Sequence, residues 1–106
     1  MASTLLEICV ESVPAAVVAQ NAGADRIELC ANLAEGGTTP SYGLMEVCRK
    51  KISVPVHVMI RPRSGDFLFE ADELEQMKSD IAVAKKLNFE GVVIGSLNNN
   101  GEVDIE

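Results

Sequence analysis

The sequence predicts an α/β protein of parallel (β/α) barrel type, and three observations carry that expectation. Four short apolar segments rich in β-branched residues alternate with stretches bearing helix-start and helix-stop signals. Links from helix to strand are short, whereas the links after the second and third strands are long. One face of each of the first three strands is polar. A doubly wound sheet is covered by helices on both sides and is apolar on both, while a barrel interior can be polar near its mouth.

Each element follows in order. "LLEICV" (5–10) is too short for a stable helix and reads as the first strand. Ser12 can cap a first helix, Pro14 is tolerated in its first turn, and Gly23 supplies a left-handed stop. "DRIELC" (25–30) is the second strand, followed by the long link "ANLAEGGTTP". Ser41 caps a second helix whose Leu44, Val47, Cys48 and Ile52 lie near one face. "VPVHVMI" (54–60) is the third strand and leads into "RPRSGDFLFEA". Asp72 and Glu75 make a capping-box-like start for a third helix, with Leu74, Met77, Ile81, Ala84 and Leu87 as its apolar stripe. Asn88 stands where a C′ residue is wanted, and "EGVVIG" (90–95) is the fourth strand. Strands joined through helices run parallel with right-handed crossovers. Extra loop length at their carboxyl ends is where such folds build sites.

Bulk properties narrow the function. A chain of 106 residues is one domain at most, and 47% hydrophobic with 24% charged is ordinary for a globular protein. A formal charge of −7 argues against a nucleic-acid partner, which needs a basic face. No apolar run approaches the roughly 20 residues of a membrane helix, so no membrane partner is expected. The start "MASTLLEICV" has no basic n-region and does not read as a signal peptide. Three cysteines, an odd number without close spacing, fit a reducing compartment, so a cytoplasmic location is expected.

Alternation defines the candidate site. Glu7 and Cys9 share one side of the first strand; Arg26, Glu28 and Cys30 share one side of the second; His57, Met59 and Arg61 share one side of the third. If the apolar sides meet the helices, these residues converge on one interior. Glu7 or Glu28 is then a candidate general base and His57 an acid, with Arg61 and Arg63 holding a carboxylate or phosphate. The plainer alternative is mutual neutralisation, Glu28 with Arg61 or Glu7 with Arg26, and Asp66 paired with one of the "RPR" guanidiniums. Cys9 and Cys30 suit small core positions or soft ligands, and Cys48 falls on a helix's apolar stripe. "EGGTTPS" offers an anion cradle ahead of a helix or an ordinary turn. It has neither a G-x-G-x-x-G pattern nor a Walker lysine.

Several motifs in order carry a resemblance. "LLEICVESV", "GADRIELCANLAEGGTTPSYG", "VPVHVMIRPRSGDF" and "EGVVIGSLNNNGEVD", over residues 5–104, resemble the successive motifs of the copper homeostasis protein CutC family. The resemblance implies a (β/α)₈ TIM barrel, a cytoplasmic role in copper handling, and Cu(I) as the metal. It further implies Cys9 and Cys30 as ligands, with "RPR" and "EGG" at the barrel mouth. Two departures are small: Ser64-Gly65 where the family usually has Gly-Gly, and Asn88-Phe89 where it usually has glycine. The larger departure is length, because the family continues to eight strands. Residues 1–106 are therefore expected to be one incomplete barrel domain, the N-terminal half, and a truncated product. Open first and fourth strands should then leave it marginally stable or make it self-associate. "GEVDIE" reads as a turn exit with Asp104 capping a fifth-unit helix that does not follow. Two functions compete: copper handling through Cys9 and Cys30, with Met59 or His57 as further soft donors, and a TIM-barrel enzyme for a small anionic substrate. The fragment is expected to be inactive on either reading, since barrel sites draw on strands around the whole ring.

Overall fold

The computed structural model describes residues 4–105. Its elements alternate as expected: β1 (Glu7–Val10), α1 (Val13–Asn21), β2 (Arg26–Leu29), α2 (Tyr42–Lys51), β3 (Val56–Ile60), α3 (Ala71–Lys86) and β4 (Gly91–Ile94), with a 3₁₀ turn at Leu33–Glu35. The strands form one sheet in sequence order, β1-β2-β3-β4, with every neighbouring pair parallel. Each strand is two residues shorter than its apolar run, at the start of the run in β1 and β3 and by one residue at each end in β2 and β4.

Local chemistry explains the helix starts. Ser12 Oγ accepts from Ala15 N at 3.2 Å and Ser41 Oγ accepts from Leu44 N at 3.1 Å, each relieving one of the free amides of a first turn. The third helix begins earlier than the Asp72 and Glu75 spacing predicts. Its N-cap is Glu70, and the Glu73 carboxylate reaches back to accept from Glu70 N at 2.9 Å. Asp72 and Glu75 have the same three-residue spacing but stand inside the helix. Gly23 (φ 105°) and Asn88 (φ 65°) take the left-handed conformations that end α1 and α3. In the "RPRSGDF" loop the positive φ falls on Gly65 and not on Ser64, so the serine is not strained there.

The core lies on the helix side of the sheet. Ile27, Leu29, Val56, Val58 and Ile60 alternate onto that side, each at most 1% exposed. Ala16 and Ala19 of α1, Met45 and Cys48 of α2, and Met77 and Ala84 of α3 close over them. Cys48 is thus a core residue. The stripe of α2 is rotated from the expected one: Met45 is buried and Val47 is exposed, because the face that meets the strands runs through Met45, Cys48 and Ile52.

Short loops at the amino ends of the strands are stapled by side chains. The Gln20 side-chain carbonyl accepts from Ser53 N, Ser53 Oγ and Val54 N. Arg49 donates to both Glu90 carboxylate oxygens at 2.9 Å, to Asn88 O and to Ile52 O, and stacks on the Phe89 ring. Glu90 Oε2 also accepts from Val56 N at 2.8 Å. Beyond β4, Asp104 N donates to Ser96 O and Leu97 bridges Val103.

Candidate functional site

Register brings the polar side chains into rows. Glu7 is the partner of Arg26, and Cys9, Glu28, His57 and Gly91 are successive partners across all four strands. The side chains of Glu7, Cys9, Arg26, Glu28 and His57 share the face away from the helices, as alternation from Ile8, Ile27 and Val58 requires. The common interior expected from the sequence therefore exists for Glu7, Cys9, Arg26, Glu28, Cys30, His57 and Met59.

Glu7 and Arg26 pair, with Arg26 Nε donating to Glu7 Oε2. That hydrogen bond holds the Glu7 carboxyl below the usual carboxylate range against the opposing effect of burial, with Glu28 and the His57 imidazole assisting. The alternative partner for Glu28, Arg61, is not used. Glu28 faces two thiols: Cys9 Sγ donates to Oε2 at 3.4 Å and Cys30 Sγ to Oε1 at 3.7 Å. Burial, followed by the Glu28 carboxylate, pushes both thiols up, Cys30 to about 12. Both are therefore neutral at ordinary pH, and Cys9 is exposed whereas Cys30 is buried. Met59 joins Cys30 across the sheet. A Cβ placed on Gly37 would lie 3.4 Å from Met59 Cε and 3.6 Å from Cys30 Sγ, so this glycine packs over the Met59 methyl and the Cys30 sulfur. Among the described residues no three His, Cys, Asp or Glu side chains are gathered to hold a metal ion.

Arg61 follows the last residue of β3 and turns into the loops. It is 7% exposed. Nη1 donates to Glu35 O and Gly37 O, Nη2 donates to Gly65 O, and the guanidinium lies 4.8 Å from the Phe67 ring centroid. It thereby ties the loop after β2 to the loop after β3. Its Nε is buried and has no partner among the described residues. Arg63 is engaged by Glu73, Asp66 and the carbonyls of Ser64, Asp66 and Leu68, over the Phe69 ring. The "EGGTTPS" amides are spent within the fold as well: Gly36 N and Gly37 N donate to Leu33 O and Asn32 O, Thr38 N to Ala31 O, and Thr39 N to Arg61 O. The anion cradle is closed, because the 3₁₀ turn folds the loop onto its own carbonyls.

A profile of the CutC family matches residues 4–106. The chain belongs to the CutC family. Among its CutC relatives are a CutC family protein of Histophilus somni, 52% identical over 100 residues, and the human copper homeostasis protein cutC homolog, 53% identical over 102 residues. These alignments cover 94% and 96% of this chain but 41% and 37% of the relatives. A crystal structure assigned to copper homeostasis protein CutC of Streptococcus agalactiae superposes with a TM-score of 0.89 at 40% identity, over 96% of this chain and 50% of that one. The chain thus spans well under two thirds of the CutC relatives it matches. Its parallel sheet and outer helices are a run of β/α units from a TIM-type barrel. No helix among the described residues is long and apolar enough to cross a membrane.

Residues that the sequence pattern passed over complete the face. Phe67 and Phe69 stack on the two loop arginines, Glu73 holds Arg63, and Gly37 and Gly91 leave room where a side chain would collide. For the glycines the only signal was composition at strand ends and loops.

Proposed function

We propose that this chain takes part in copper homeostasis as its named relatives do, with Cys9 and Cys30 as Cu(I) ligands on the polar face of a cytoplasmic, incomplete barrel domain spanning residues 1–106. The single observation that carries the reading is the shared carboxylate: two thiols from neighbouring strands meet opposite oxygens of Glu28. Soft thiolate donors suit Cu(I), and the Met59 thioether beside Cys30 is of the same kind. Because both thiols are held protonated, loading must release their protons, so uptake strengthens as pH rises. Anaerobic Cu(I) competition titration of the chain and its Cys9→Ser and Cys30→Ser variants tests this. Affinity should fall at least tenfold in each variant; unchanged affinity removes both thiols from the site.

A second reading is an enzyme site for a small carboxylate or phosphate, with Glu7, Glu28 and His57 as acid–base groups. The buried guanidinium of Arg61, whose Nε has no partner among the described residues, favours it. A thermal shift with inorganic phosphate or a sugar acid that disappears in Arg61→Lys would support this reading, and no shift at millimolar ligand would count against it.

A further inference from the structure

His57 is the only histidine of the chain, and its partner across the β3–β4 ladder is Gly91. A Cβ at Gly91 would lie 2.9 Å from His57 Nε2, 3.0 Å from Cδ2 and 3.2 Å from Cε1. Nε2 and the two carbons bonded to it stand at nearly equal distances from that point, so the face of the ring occupies the volume that any other residue would fill. Gly91 is not among the residues with positive φ, so its backbone suits an L-amino acid. A glycine inside a strand weakens it and often marks close approach of another group. Here the approaching group is an imidazole, and the clash is with the end of a side chain that can swing aside without moving the strands.

We infer that Gly91 is the positioning residue for His57. Its missing side chain is a slot that lays the face of the imidazole against β4 and so holds the ring within the row formed with Cys9 and Glu28. The assignment does not depend on whether copper or an anionic molecule occupies the face, since it follows from ladder register and close contact.

The test is nuclear magnetic resonance of the one imidazole in the unmodified chain and in Gly91→Ala, with thermal melting of both in His57 and His57→Ala backgrounds. The Gly91→Ala substitution should move the ring proton and nitrogen signals well beyond their line widths while the helical circular dichroism stays unchanged. Its cost in melting temperature should vanish in the His57→Ala background. Ring signals that stay in place in a folded Gly91→Ala chain overturn the inference. So does an equal melting loss in both backgrounds, which would mean that the glycine serves the strand and not the ring. Random-coil ring signals in the unmodified chain overturn it too, because no slot would then hold the imidazole.

Discussion

The two faces of the same four strands obey opposite rules. On the helix side Ile27, Leu29, Val56, Val58 and Ile60 are sealed by three helices within one apolar cluster. On the other side a one-residue step along each strand gives Glu7, Cys9, Arg26, Glu28 and His57, half-buried or exposed and held by hydrogen bonds or close packing. The first face stabilises the fold through burial, which is indifferent to the identity of its aliphatic groups beyond size and shape. The second depends on particular atoms at particular rows. The difference teaches that stability and chemistry are separated here by nothing more than the pleat.

Substitutions that break or sharpen this contrast rank by expected effect. Leu29→Ala, deep on the helix side, should cost about 2–5 kcal/mol and lose most of the native helical signal on modest heating. Arg61→Ala removes a guanidinium that binds three loop carbonyls and stacks on Phe67. Losing these charged hydrogen bonds should cost about 3 kcal/mol in urea denaturation, more than any other change on the polar side. Glu7→Gln should cost about 1 kcal/mol or less, since its pair is partly exposed. Its effect is sharper against pH. The folded-state carboxyl lies below its unfolded value, so Glu7 stabilises the fold above the unfolded value, and that stability is lost as pH falls through the folded one. Glu7→Gln should flatten the acid limb of stability measured against pH. The smallest effect is chemical: exposed Cys9 should react with iodoacetamide well before Cys30 or Cys48 at pH 8, read by mass spectrometry.

Much of this was legible from residue order. Alternation located both faces, and the serine caps and the Gly23 and Asn88 stops located the helices, because each depends on a local signal. The Glu7–Arg26 pair was among the partners expected, since both residues stand within strands whose register is set by the sheet. The partner of Glu28 was not legible. Arg61 lies past the end of β3, where a long side chain reaches loop carbonyls sooner than a carboxylate in the row of His57, four residues back. The Glu70 start of α3 was hidden because glutamate is an uncommon cap and the Asp72–Glu75 spacing imitates one. The role of Gly91 was hidden for a different reason: a residue without a side chain leaves no mark in a pattern of polar and apolar positions, yet the ladder puts it opposite the one imidazole.

The Arg49–Glu90 clamp has a consequence for the order in which the chain assembles. The amide that opens the third strand, Val56 N, is capped by a carboxylate arriving from the threshold of the fourth. The middle of the sheet is thus latched by its latest-made member: until Glu90 docks, the mouth of the preceding strand frays, and amide exchange at Val56 should keep time with the fourth strand rather than with its own.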